Sequence, residues 1–163
     1  MNLHEALEVI RQQVGHNEAA SYTKEGCRVS MDNIPSERVV LDVDLAFPAD
    51  RALTNQCDFV LFYIDTAQSK LVGVPMELKN GDVKASVVAA QLQDGARIVD
   101  NFTTRNIEIE LIPVLIHDGI HKAQSERLKV SRIRFRGDRI PINTATCGYQ
   151  GNIAEALKKS TKR

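Results

Sequence analysis

The spacing of apolar residues changes along the chain, and each change marks a predicted element. At the N-terminus, apolar residues recur at helical intervals behind a capping box formed by Asn2 and Glu5. The apolar stripe of this predicted helix consists of Leu3, Ala6, Leu7, Ile10 and Val14. An amphipathic helix is therefore expected to open the chain.

Two apolar runs, residues 58–65 and 71–79, predict a pair of neighbouring strands. Residues 66–69 lie between them and suit a hairpin connection. Near-continuous apolarity is typical of strands that are covered on both faces, so we expect both strands in the middle of a sheet. Pro75 lies inside the second strand and has no N–H for the sheet ladder, which predicts a bulge or a sheet edge there.

Further strands are predicted on both sides of this pair. They cover residues 28–31, 39–45, 107–116, 128–135 and 139–142. Within 39–45, apolar and acidic residues alternate, which is typical of a strand with one buried face. His117, Asp118 and Gly119 form a turn signal after the long strand.

Two more helices complete the predicted order of elements. One is capped by Asp82 and extends to about residue 100, and the last begins at Asn152, with Glu155 completing a capping box. The stripe of the former consists of Ala85, Val88, Leu92, Ala96 and Val99. We therefore predict an α/β fold, in which helices flank a mixed sheet.

Composition limits the class of protein. The 163 residues suit a single domain over residues 1–163 that can bury a substantial core. Acidic and basic residues number 21 each, so any contact with nucleic acid has to come from a local basic patch. No apolar run approaches the length of a membrane span and the N-terminus does not resemble a signal peptide, so we expect a cytoplasmic protein with no membrane partner.

The cysteines support the same expectation. Cys27, Cys57 and Cys147 are an odd number at wide spacings, which favours reduced thiols over a disulfide framework. Cys57 is interpreted as a small buried residue and not as a nucleophile, because no histidine lies close to it in sequence.

Charged residues at the ends of the two apolar strands are the candidate chemistry. Asp58 opens the first strand, whereas Glu77 and Lys79 close the second and share one face of it. On its own, a glutamate two residues from a lysine is more often a solvated strand end. The apolar strand behind it and the nearby Asp58 favour a divalent-metal site with an attached lysine.

These residues resemble the PD-(D/E)xK nuclease superfamily. The resemblance rests on Asp58, on Glu77-Leu78-Lys79 and on the following helix with Gln91, and it covers roughly residues 2–116. It implies a restriction endonuclease-like αβββαβ core, with C-terminal strands and a helix added. The sequence departs from the family where Cys57 replaces the proline that precedes the first acid.

The resemblance also implies roles for matching residues. Asp58 and Glu77 would bind Mg²⁺, or Mn²⁺, together with the main-chain carbonyl of Leu78. Lys79 would orient or deprotonate the attacking water, and Gln91 would join the catalytic residues. A spare glutamine from the same helix and a glutamate from the first helix are the remaining candidates, namely Gln93, Glu5 and Glu8.

The expected activity is Mg²⁺-dependent hydrolysis of phosphodiester bonds in nucleic acid, with DNA favoured over RNA. A chain of this length has no separate recognition domain, so we expect a homodimer or a partner protein. One alternative is a catalytically inactive module with the same fold that binds protein or nucleic acid in a larger complex. Another is an unrelated α/β enzyme in which Asp58 and Glu77 lie too far apart to share an ion.

Two further groups of charged residues and one pair of histidines are secondary candidates for binding. Arg132, Arg134 and Arg136 alternate and are predicted to bind nucleic acid from one face of a strand, although a solvated face is equally consistent with the pattern. Other basic residues add to this concentration: Arg139, Lys158, Lys159, Lys162 and Arg163. Asp42 and Asp44, next to Asp50, are interpreted as the exposed face of a strand, with metal ligation as the alternative. His117 with His121 is not expected to bind zinc.

Overall fold

The computed structural model of the chain describes residues 1–48 and 56–160, without the side chains of residues 159 and 160. In these residues the helices are α1 (Leu3–Val14), α2 (Val43–Ala46), α3 (Ala85–Phe102), α4 (Lys122–Val130) and α5 (Asn152–Ser160). The first strands are β1 (Thr23–Lys24), β2 (Cys27–Arg28), β3 (Arg38–Asp42), β4 (Phe59–Asp65) and β5 (Lys70–Lys79). They are followed by β6 (Ile109–Leu111), β7 (Val114–His117), β8 (Arg132–Phe135), β9 (Asp138–Pro141) and β10 (Asn143–Thr146).

A mixed sheet forms the centre of the fold. Its strand order is β10-β7-β5-β4-β3, and β6 also pairs with β5. Strands β3, β4 and β5 pair antiparallel, whereas β6 and β7 run parallel to β5 and β10 runs parallel to β7. Helices α1, α3 and α4 cover one face and α5 covers the other, so the predicted mixed α/β class is confirmed.

The N-terminal helix has the predicted cap and stripe. Asn2 accepts a hydrogen bond from the backbone N–H of Glu5 and donates one to its carboxylate. Its apolar face is buried at Ala6, Leu7, Ile10 and Val14. All five predicted apolar positions of α3 are buried as well.

Pro75 is accommodated in the central strand without a bulge. The pairing of β5 with β4 continues through Val60 and Pro75, and β5 lies between other strands. On its other side, the parallel neighbour is interrupted between Leu111 and Val114, opposite Pro75. The missing N–H therefore falls where no strand needs it, and both predicted alternatives, a bulge and a sheet edge, are wrong. The same interruption divides the predicted long strand 107–116 into β6 and β7.

Three other predicted elements differ from the structure. Strand β3 ends at Asp42, whose carboxylate accepts from the N–H of Leu45 and caps α2. Both faces of β3 are buried, because Val39 and Val40 point into opposite cores. The predicted strand 128–135 is the end of α4 followed by β8, and the predicted strand 28–31 is replaced by the short hairpin of β1 and β2.

The predicted caps of the later helices are also wrong. Helix α3 starts after Lys84, and the Gln124 side chain accepts the N–H of Ala85 in place of Asp82. Asn152 is buried and is not a cap. Its amide accepts from Ser30 and donates to the carbonyls of Arg28 and Thr146, which ties α5 to the edge of the sheet.

Two of the cysteines form a disulfide, contrary to the sequence-based expectation. Cys27 on β2 is bonded to Cys147 just after β10, across 120 residues of sequence. Spacing could not reveal this pair, because only the fold brings the β1–β2 hairpin next to the end of β10. Cys57 is free and fully buried, as predicted.

Candidate active site

Strands β4 and β5 bring Asp58 and Glu77 side by side. The antiparallel register pairs Phe59 with Met76, so the preceding Asp58 lies opposite Glu77. The N–H of Asp58 donates to the carbonyl of Met76 at 3.0 Å, and a carboxylate oxygen of Asp58 accepts the N–H of Leu78 at 2.8 Å. The two carboxyl groups interact, and each shifts the pKa of the other.

Glu77 is buried at the centre of this arrangement, with a side chain only 4% exposed. Its Oε2 lies 3.2 Å from Nζ of Lys79. Its Oε1 is buried and has no hydrogen-bond partner among the described residues. A buried carboxylate oxygen without a donor is destabilising unless a proton or a cation satisfies it.

Burial is the main cause of the raised pKa values at this site. Removal from water raises the pKa of Glu77 to about 8, and the neighbouring charge of Asp58 adds to this effect, while Lys79 opposes it. Burial also raises the pKa of Asp58, against the hydrogen bond from Leu78. The pair therefore favours one shared proton in the absence of a cation.

The packing of helix α3 on β5 indicates the position of Gln91 relative to Glu77. A Cβ added to Gly73 would lie 2.8 Å from Val99, and one added to Gly95 would lie 2.5 Å from Pro75, so helix and strand run antiparallel in close contact. Four residues of a helix are about as long as two residues of a strand. Four residues before Gly95 on the helix and two residues after Pro75 on the strand, Gln91 therefore comes next to Glu77. Oε1 of Gln91 is also buried without a partner among the described residues.

Gln93, the spare glutamine, has a different role. Its amide accepts the N–H of Arg134 and donates to the carbonyl of the same residue, both at 2.9 Å. This pair of bonds attaches β8 to α3. Gln93 therefore points away from the carboxylates, on the opposite side of the helix from Gln91.

The glutamates of the first helix do not reach the site. Glu5 is exposed in the cap of α1, and Glu8 is exposed in an ion pair with Arg11. Lys24 is a cation near Asp58 whose position the sequence did not predict. It lies 3.2 Å from Asp44 and 3.8 Å from Asp42, and its charge lowers the pKa of Asp58. Its two-residue strand carries no periodic signal that could have revealed this position.

Asp42 and Asp44 consequently do not form an exposed strand face, because both bind Lys24 at the end of β3. Asp50 lies outside the described residues, as do Lys162 and Arg163. His117 ends β7, where its Nδ1 accepts the N–H of Gly119, and burial lowers its pKa. Across residues 1–48 and 56–160, no group of three or more His, Cys, Asp or Glu side chains is arranged to hold a metal ion.

The predicted arginine face is only partly present. Arg132 and Arg134 are exposed on β8, while Ile133 and Phe135 between and after them are buried. Arg136 leaves the strand with a φ of 49° and turns inward. Its guanidinium binds Asp100 at 2.9 Å and Thr103 at 2.8 Å, so Arg136 does not continue the exposed face formed by Arg132 and Arg134.

Replacement of Arg136 by alanine is expected to lower the free energy of unfolding by about 2 kcal/mol, because it leaves several partly buried acceptors unpaired. Urea denaturation measures this difference. Arg134→Ala is the matched control: its side chain is exposed on the adjacent strand, so the change should stay within about 0.5 kcal/mol. Equal effects of the two substitutions would contradict the structural role of Arg136.

Comparisons with protein-family models, curated proteins and solved structures find no match to this chain. None of the described helices is long and apolar enough to cross a membrane. The chemistry of the site therefore has to be inferred from its own geometry.

Proposed function

We propose that the protein is a metal-dependent nuclease with a restriction endonuclease-like core, which hydrolyses phosphodiester bonds at Asp58, Glu77 and Lys79. The observation that carries this proposal is the buried Glu77 carboxylate, which adjoins a second carboxylate and a lysine and keeps one oxygen unpaired. A structural ion pair needs only one acid, and a buried second acid makes the fold less stable. A bound cation would explain why Asp58 and Glu77 lie together in a buried position.

The donor set suits Mg²⁺. Magnesium prefers hard oxygen ligands and keeps several waters, so one or two carboxylates and a substrate phosphate suffice. Asp58 and Glu77 would hold the ion with the carbonyl of Leu78, and the unpaired Oε1 atoms of Glu77 and Gln91 are further oxygen donors at the site. Mn²⁺ suits the same ligands. Bound there, the ion would offset the charge of the phosphate and lower the pKa of a water molecule.

The residues of the chain have separate tasks in this proposal. The N–H of Leu78 fixes Asp58, so that its other oxygen remains available. Lys79 is held next to Glu77, where its ammonium group can orient the attacking water and offset developing charge on the phosphate. Gln91 presents an amide from the opposite wall and can position the same water. Cys57, fully buried with a raised thiol pKa, takes no part as a nucleophile.

The proposed substrate is nucleic acid, with DNA favoured, and a homodimer or a partner protein would supply selectivity. The test has two parts. Purified protein is incubated with single- and double-stranded DNA and RNA in Mg²⁺, Mn²⁺ or EDTA, and Mg²⁺ binding is measured by calorimetry. We expect metal-dependent cleavage and a binding heat that Asp58→Ala abolishes. Metal binding without cleavage of any substrate, or no binding at all, would favour the inactive binding module.

A further inference from the structure

A groove between the start of α3 and helix α4 lies at the same end of the sheet as the carboxylates. It has a volume of about 410 Å³ and is lined by Lys84, Ala85, Ser86, Gln124, Arg127 and Ser131. The lining contains two cationic side chains, two hydroxyl groups and no acidic residue. Lys84 directly precedes α3 and Arg127 lies in α4, so the tertiary structure brings their charges together.

Both cations are available for a ligand. Lys84 and Arg127 are exposed, and within the described part of the chain neither side chain forms an ion pair or a hydrogen bond. By contrast, Lys24, Lys70, Lys79 and Arg136 all bind acidic side chains. Two unpaired cations facing one groove attract an anion with at least two negative charges along its length.

The position of the groove relates it to the candidate active site. Five residues lead from Lys79, at the end of β5, to Lys84, and such a segment spans at most about 18 Å. An extended phosphodiester chain that reaches Lys79 can therefore also reach the groove. Ser131, on the far wall, directly precedes Arg132 on β8, so the exposed arginines of that strand continue from the groove.

We propose that this groove binds the phosphate backbone of the nucleic acid a few nucleotides from the bond that is cleaved. The inference rests on the proposed function, because it assigns the groove to the same substrate. It is consistent with the net charge of zero, because 21 acidic and 21 basic residues leave nucleic-acid contact to local cations. Backbone contacts of this kind position a strand without reading its sequence.

The test measures the salt dependence of DNA binding. Glu77→Gln serves as the common background in Mg²⁺, so that a fluorescently labelled 20-nucleotide DNA, single- or double-stranded, stays intact. Adding Lys84→Ala and Arg127→Ala should make the slope of log K against log salt shallower by about 2 for double-stranded DNA. We expect affinity at about 0.1 M salt to fall roughly 10- to 100-fold. Thermal unfolding checks that the variants fold.

Arg11→Ala with Arg105→Ala is the charge-matched control, since each side chain lies in an ion pair outside the groove. An equal loss in this control, an unchanged slope in the groove variant or no DNA binding by the background protein would overturn the proposal. If inorganic phosphate displaces the DNA more strongly than chloride does at equal ionic strength, the groove is a site for free phosphate and the proposal is overturned. If DNA binding needs the groove but the parent protein cleaves no DNA, the proposed nuclease activity is refuted, whereas the proposed role of the groove in DNA binding stands.

Discussion

Replacement of Lys79 by alanine is expected to lower the rate of metal-dependent cleavage by about 10²- to 10⁴-fold, the range typical of a positioned acid–base group. In the proposed mechanism, the ammonium group lies next to Glu77, where it can act on both the water and the phosphate. The cation would be held by carboxylates, so Mg²⁺ binding should survive this substitution. Single-turnover cleavage and calorimetry on the same preparation measure the two effects.

Lys70→Ala provides a control on the same strand. Lys70 lies at the other end of β5 and pairs with Glu110 at 2.8 Å, so its removal changes the same charge far from the carboxylates. We expect less than about a twofold change in the cleavage rate, as for a surface ion pair. Equal losses for Lys70→Ala and Lys79→Ala, or full activity of Lys79→Ala, would contradict the role of Lys79.

The part of the fold that could be predicted is the part with long, regular patterns. Residues 58–65 and 71–79 are apolar on both faces, and they occupy the middle of the sheet as that pattern requires. Helices α1 and α3 follow their apolar stripes. Once these elements are assigned, antiparallel pairing across a short connection places Asp58 opposite Glu77 without further information.

The remaining elements depend on contacts between distant residues. The predicted strand at 128–135 failed because α4 is polar and its apolar residues do not mark a helix face clearly. Strand β10 is polar and short, and its position follows from parallel pairing with β7. Arg136 fits the alternation of β8 in sequence, yet its positive φ turns it toward Asp100. Local periodicity contains no information on such tertiary contacts.

The candidate site divides in the same way. The positions of Asp58, Glu77 and Lys79 at neighbouring strand ends, and of Gln91 on α3, could be predicted because these elements have strong apolar patterns. The sequence could not predict how deeply Glu77 is buried or that one of its oxygens lacks a partner. Both properties depend on how closely α3 packs against β5 at Gly95. The same holds for Lys24 and for the groove at Lys84 and Arg127, where side chains from separate segments meet.

The stability of the metal-free protein is expected to decrease as the pH rises from about 4.5 to about 8, because of Glu77. Its pKa is raised to about 8 in the folded protein, from 4.5 for a free side chain. Between these values the unfolded chain has released the proton while the folded protein still holds it, so the unfolded state is favoured as the pH rises. The stabilisation is complete below pH 4.5 and is lost through pH 8, and its full size is of the order of 5 kcal/mol.

Urea denaturation in EDTA at a series of pH values, with Glu77→Gln as the reference, isolates this contribution. The uncharged amide at residue 77 cannot ionise, and groups outside the carboxylate pair that titrate alike in both proteins cancel in the difference. The difference therefore reports the coupled pair of Glu77 and Asp58. We therefore expect Glu77→Gln to lose much less stability over this range than the parent. Mg²⁺ at pH 8 should restore stability to the parent by RT ln(1 + [Mg²⁺]/Kd), and much less to the variant, because the ion replaces the proton on the buried carboxylate. Parallel curves for the two proteins would mean that Glu77 ionises normally, and the buried carboxylate could then not be the reason for a cation at this site.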